Sequence, residues 1–226
     1  MTEQEWLECA DPKPMLGYLE GKGSDRKLRL FAVACCRQVW HLLSDERSRN
    51  AVEFGEQFAD GLAIDDERVV VHSKADIGGD YFDAEAGIDP RFGIVVVTQD
   101  AVADPEKVRF GLEGWRWAAG MLCPRTEDYD SLLASETLEF VRLCDCLRCI
   151  FGNPFRPITV DPVWLTPTVV SLATAIYDER AFDRLPILAD ALEDAGCDNA
   201  DILNHCRQPG EHVRGCWAVD LVLGKS

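Results

Sequence analysis

The sequence lacks any uncharged apolar run of about 18 residues, the length a membrane-crossing helix needs, so no membrane span is expected. Its start lacks a basic stretch followed by an apolar one. Met1-Thr2-Glu3-Gln4-Glu5 is polar and acidic, and no secretory signal is readable there. Basic charge is scarce as well. Lys and Arg number 23 against 40 Asp and Glu in 226 residues, a formal net charge of −17. Neutralising phosphates needs a basic surface, so a nucleic-acid partner is not expected, and docking on anionic lipid is disfavoured for the same reason. Catalytic signatures are missing too. There is no G-x-x-x-x-G-K-[ST], no G-x-G-x-x-G, no G-x-S-x-G and no H-E-x-x-H. The pair of glycines in Asp76-Ile77-Gly78-Gly79-Asp80 has no lysine behind it. On this ground the reading leans away from an enzyme.

Cysteine, by contrast, is abundant, with ten residues. Without a secretory signal the expected setting is a reducing cytoplasm, where thiols stay free. A buried free cysteine behaves as a small hydrophobe, which accounts for most of them.

Hydrophobic spacing predicts a mainly α protein. Thr2 can cap a short helix through Trp6 and Leu7, with Glu5 completing a capping box. Asp11-Pro12-Lys13-Pro14 ends it, and a second short helix carries Met15, Leu16 and Leu19. A long helix starts at Ser24 or Asp25. Leu28, Phe31, Ala32, Cys35, Val39 and Leu42 form its apolar face, with Arg26, Arg29 and Arg37 off it. Ser44-Asp45 caps the next, with Ala51, Val52, Gly55, Phe58, Ala59 and Leu62 inward. Two such helices joined by a short link form a hairpin. Val69-Val70-Val71 and Ile94-Val95-Val96-Val97 read as short strands around a Gly- and Asp-rich loop. Helix returns after Asp104-Pro105, with Trp115 on its face, and again from about Ser131 to Phe151.

Gly152-Asn153-Pro154-Phe155-Arg156-Pro157 is the strongest breaker. Beyond it, Thr166-Pro167 starts one helix, Asp183 precedes another and Asn199 caps a third. After Pro209-Gly210 a last helix is expected to carry Val213, Cys216, Trp217 and Leu221 and to end at Gly224. The expected architecture is a multi-helix orthogonal bundle of helical hairpins, with room for a small β excursion near residues 68–98. Residues 1–151 form an N-terminal part with an irregular insertion at about 63–100. Residues 158–226 form a C-terminal part, too thin alone and expected to pack on the first as one domain.

Several stretches carry a resemblance. They are Glu5-Trp6-Leu7-Glu8-Cys9, the run Asp25 to Arg37 (DRKLRLFAVACCR), Phe151 to Pro157 (FGNPFRP) and Ala181 to Pro186 (AFDRLP). The last is His205-Cys206-Arg207 with His212-Val213-Arg214-Gly215-Cys216-Trp217. Together they resemble a predominantly helical family that recurs in planctomycete bacteria and has no assigned activity. The resemblance covers about two thirds of the chain and leaves residues 63–130 poorly matched. It implies a helical fold and no particular chemistry.

Three constellations bear on chemistry. The first is metal ligation, since zinc takes thiolate sulfur and imidazole nitrogen in a tetrahedron. Cys144, Cys146 and Cys149 form C-x-C-x-x-C, but within a helix Cys144 points away from the other two. His205, Cys206, His212 and Cys216 are better placed, because a Pro-Gly turn lies between the two histidines. They are the candidate metal set, to which the first group can add a thiolate. The second is a nucleophilic cysteine, Cys216, near His212 and Arg214. It is disfavoured because neighbours on a helix do not face one another. The third is the acidic loop Asp76, Asp80, Asp83, Glu85 and Asp89, whose spacing does not match a calcium loop and reads as solvated.

The expected function is a non-enzymatic helical module that binds or regulates other proteins, with a protein partner of basic or mixed surface. The alternative is a zinc-binding protein, or metal-dependent enzyme, using the C-terminal His/Cys cluster. A third reading places a small-molecule pocket between the middle segment and the helices.

Overall fold

The computed structural model describes residues 1–43, 45–75, 82–83, 87–88 and 129–226. Ten α-helices lie in this part, and the mainly α expectation holds. None of these helices is long and apolar enough to cross a membrane. The chain divides into two compact units, Met1–Cys144 and Asp145–Ser226.

The first unit begins with α1 (Glu3–Glu8). Thr2 Oγ1 accepts from the Glu5 amide at 3.2 Å, and Glu5 Oε2 accepts from the Thr2 amide at 2.7 Å. This reciprocal box satisfies two donors that a helix start leaves open. Helix α2 (Pro12–Leu19) is capped by Asp11, and its buried Met15, Leu16 and Leu19 are those expected from the spacing. Ser24 caps α3 (Asp25–Gln38), and Asp45 caps α4 (Glu46–Ala59). The Arg47 side chain beside Asp45 holds its carboxyl below the usual range.

Helix α3 is buried more completely than a single stripe predicts. Every residue from Arg29 to Cys36 is buried. Arg29, expected on the outer face, lies with its guanidinium 4.7 Å from the centre of the Phe58 ring, which provides a polarisable partner in place of water. Helix α4 packs along α3 as the hairpin anticipated. Arg37 ties the two by a paired contact with Glu56 at 2.8 and 3.3 Å.

Val69-Val70-Val71 is not a strand. It lies within α5 (Asp65–Ala75), packed on α4. Three acidic residues, Asp65, Asp66 and Glu67, complement the positive end of that helix, and Arg68 bonds Asp65 one turn back at 2.6 Å. Val71 packs with Phe54 against Ala51. Local acidity and this contact outweigh the strand preference of valine, which is itself mostly a matter of context. Further on, β1 (Phe82–Asp83) and β2 (Gly87–Ile88) pair antiparallel, Phe82 opposite Ile88. The valine run 94–97, the helix after Pro105 and the side chains of the acidic loop lie outside the described residues, as does the segment invoked for a small-molecule pocket.

Helix α6 (Tyr129–Phe151) starts in the first unit and ends in the second. The second unit continues with α7 (Pro167–Glu179), α8 (Leu185–Asp194), α9 (Ala200–Arg207) and α10 (Trp217–Leu223). Thr166 caps α7 with Pro167 in its first turn, and Asn199 Oδ1 caps α9 by accepting two amides at 3.1 Å. The stripe Leu185, Leu188, Ala189 and Leu192 is buried. Helix α7 packs on α8 and α10, and α8 packs on α9. Each large buried side chain contributes about 1.5–3 kcal/mol, and Leu147, Ile150, Ile176, Tyr177, Leu188 and Leu192 are among those the second unit buries.

Candidate metal centre

The last helix differs from expectation in a way that builds the site. It begins at Trp217, so Val213 and Cys216 precede it. The stretch His212–Cys216 is a tight turn. The Cys216 amide donates to the Val213 carbonyl at 2.9 Å, and Gly215 sits at φ 90°. That left-handed value suits a residue without Cβ. Cys216 then occupies the N-cap position of α10. The turn, rather than a helix face, carries both His212 and Cys216, so the objection that helical neighbours diverge does not apply to them.

Two further side chains arrive from helix ends. His205 lies in the last turn of α9. Cys149 lies in the last turn of α6, which stops at Gly152 with φ 65°. A Cβ on Gly152 would stand 3.1 Å from Trp217 Cγ, so glycine also lets the end of α6 approach the first residue of α10.

Cys149, His205, His212 and Cys216 converge, with one ligand atom from each inside 4.8 Å of all the others. Cys149 Sγ is 3.6 Å from His212 Nδ1, and His205 Nε2 is 3.2 Å from Cys216 Sγ. The two imidazoles meet edge to face, their centres 4.8 Å apart, and the Trp217 indole lies 5.0 Å from His205. Gln208 Nε2 lies 3.2 Å from the remaining His205 nitrogen, Nδ1. Cys149, His205 and Cys216 are buried and His212 is half-buried.

Electrostatics divide the two thiols. Burial raises the Cys216 thiol, but hydrogen bonds from Cys149, His205 and His212 outweigh it and hold Cys216 well below the usual range. Cys149 is pushed well up, first by donating to Cys216 and then by burial, while the Val213 amide acts against this. Two sulfurs this close favour one thiolate and one thiol.

Of the four candidates named from sequence, three are in this group. Cys206 is not. It is buried beside the site, and its thiol is pushed up to about 12, first by burial and then by the charges of Cys216 and Cys197. The fourth position is taken by Cys149. Cys144 and Cys146, the other members of its motif, are buried and outside the group. As a nucleophile Cys216 is poorly placed, because it is fully buried. Arg214, near it in sequence, lies over the Tyr177 ring at 4.4 Å.

The donor set suits a metal of borderline softness. Zinc bound to sulfur at about 2.3 Å and nitrogen at about 2.0–2.1 Å in a tetrahedron sets sulfur and nitrogen about 3.6 Å apart. The Cys149–His212 separation equals that edge, and the His205–Cys216 separation is a few tenths shorter. No family model matches the chain, and no curated protein or solved structure matches it.

Proposed function

We propose that Asp145–Ser226 is a zinc-stabilised helical module in which Cys149, His205, His212 and Cys216 hold one structural ion. The observation that carries this reading is the convergence of two thiols and two imidazoles from three separate segments within 4.8 Å. Four protein ligands fill a tetrahedron and leave no position for a substrate, and three of the four are buried. Both points favour a structural role over metal-dependent catalysis. The unit's small size gives the ion a purpose, because units of about 80 residues and below commonly draw on a metal or cross-link for added stability. A module of this kind suits the protein-binding or regulatory role expected from sequence.

Elemental analysis of the full chain, purified without chelator, tests the reading. One zinc per chain is expected. Cobalt(II) taken up in its place should show the intense visible absorption of a tetrahedral thiolate site. Protein that stays metal-free after incubation with zinc, while correctly folded and reduced, would overturn the proposal. A different metal in the same stoichiometry would keep the centre and change the ion, since soft sulfur ligands also suit copper(I) and iron.

A further inference from the structure

The His205 ring is held by opposite partners on its two nitrogens. Gln208 Nε2 lies 3.2 Å from Nδ1, and Cys216 Sγ lies 3.2 Å from Nε2. An amide nitrogen only donates, so with the nitrogen end of Gln208 facing it Nδ1 accepts, the role of each ring nitrogen following the tautomer. The ring proton then sits on Nε2 and points at the Cys216 sulfur. The Trp217 indole and the His212 ring pack against the imidazole and limit its rotation.

A metal at Nε2 needs the other tautomer. A ligating nitrogen offers its lone pair, so the ring proton belongs on Nδ1, where ligating histidines usually donate to an oxygen. The N–H of an amide cannot accept it. A half turn of the Gln208 amide replaces Nε2 by Oε1 at nearly the same place. Gln208 is exposed, so the turn disturbs no packed side chain. Its backbone stays fixed, with the amide donating to the Asn204 carbonyl at 2.8 Å.

We propose that Gln208 is the positioning residue for His205, donating to Nδ1 in the metal-free protein and accepting from Nδ1–H in the loaded one. The inference rests on the reading of the four residues as a zinc centre. The ring keeps one proton throughout, losing it from Nε2 to solvent and gaining one at Nδ1. Because either end of the amide satisfies Nδ1, Nε2 stays directed at the metal position in both states. A glutamine serves here better than a residue that only donates or only accepts.

The test uses the full chain labelled with nitrogen-15, read by long-range proton–nitrogen correlation, with zinc affinity measured against a chelator of known strength. In wild-type protein His205 should be protonated at Nε2 without metal and at Nδ1 with zinc. Gln208→Glu presents only acceptors, so its metal-free His205 should already be protonated at Nδ1, with zinc bound at least as tightly as in wild type. Gln208→Leu should bind zinc about tenfold more weakly, within the range usual for partners of ligating histidines. A general loss of structure would lower all affinities without reversing the tautomer. Zinc affinity within twofold of wild type in Gln208→Leu, or a metal-free Gln208→Glu that keeps its proton on Nε2, would refute the role of Gln208 alone. Wild-type protein that takes up no zinc would instead bring down the metal reading beneath it.

Discussion

Cys149 Sγ lies 3.6 Å from His212 Nδ1, although 63 residues separate them in sequence. Closing a loop of that length costs on the order of 4 kcal/mol of chain entropy. The contact joins the end of one long helix to the turn that opens the last helix. A metal held there would resist separation of those elements, adding to the hydrophobic contacts of a small unit.

The ligand set predicts unequal effects for neighbouring cysteines. Cys149→Ser removes a sulfur from the group and should weaken zinc binding by about a hundredfold or more, above the effect of losing a supporting partner. Cys206→Ala removes a buried thiol outside the group. It should leave zinc stoichiometry at one per chain and destabilise the fold by about 1 kcal/mol. Competition against a chromogenic chelator separates the two. Equal losses would mean that Cys206 takes part in binding.

Metal removal should lower stability steeply. A ligand held at a thousand times its dissociation constant contributes about 4 kcal/mol to the folded state. For a unit of about 80 residues that corresponds to a fall in Tm on the order of 15–30 °C when a strong chelator is added. Calorimetric scans with and without chelator measure it. Coincident scans on protein shown to carry zinc would argue that the ion has no structural role.

Much of this organisation was legible in residue order, because its causes are local. Thr2, Ser24, Asp45, Thr166 and Asn199 are short polar side chains placed just before apolar repeats, and each caps the helix that follows. Val69–Val71 misled because strand preference reflects surroundings, and here the surroundings are an acidic helix start and a contact with Ala51 and Phe54. The site divides in the same way. His205, His212 and Cys216 were found through the Pro209-Gly210 turn between them. Cys149 enters the sequence reading only as a thiolate that its C-x-C-x-x-C group can add, although Gly152 three positions on marks a helix end. Cys206 was included although it follows His205 within one helix, where successive side chains point about 100° apart. The start of α10 was hidden because Val213 and Cys216 fit the helical spacing. The glycine at 215, left-handed in the structure, was the available sign that a turn intervenes.

Zinc uptake should depend on pH with the slope of about one proton. The metal needs both sulfurs deprotonated, so protons and zinc compete, and lowering pH weakens binding. Its bond to Cys216 and burial push the Cys149 thiol well up, whereas hydrogen bonds from Cys149, His205 and His212 hold Cys216 well below the usual thiol range. Where the imidazoles are neutral, Cys149 therefore holds the proton that zinc displaces. Apparent affinity should rise about tenfold per pH unit there, and titration calorimetry in buffers of different ionisation enthalpy should register one proton released per zinc. Two protons released would show that Cys216 is also a thiol in the metal-free protein.

Gly152 and Gly196 make a matched pair for testing how closely the ends of α6 and α10 must approach. Both have left-handed backbones, at φ 65° and 89°. A Cβ at Gly196 meets nothing within 4 Å, so Gly196→Ala bears only the conformational penalty, about 1 kcal/mol. At Gly152 the same atom would press on the Trp217 indole at 3.1–3.3 Å. Trp217 in turn packs on His205 and follows Cys216 directly, so any displacement reaches two members of the ligand group. Gly152→Ala should therefore cost about 2–3 kcal/mol in urea unfolding, from backbone strain and overpacking together. It should also weaken zinc binding, whereas Gly196→Ala should leave affinity unchanged. The second difference is the more informative. Equal zinc affinities in the two variants would show that the ligand group tolerates movement of Trp217, and that the close approach at Gly152 serves packing alone.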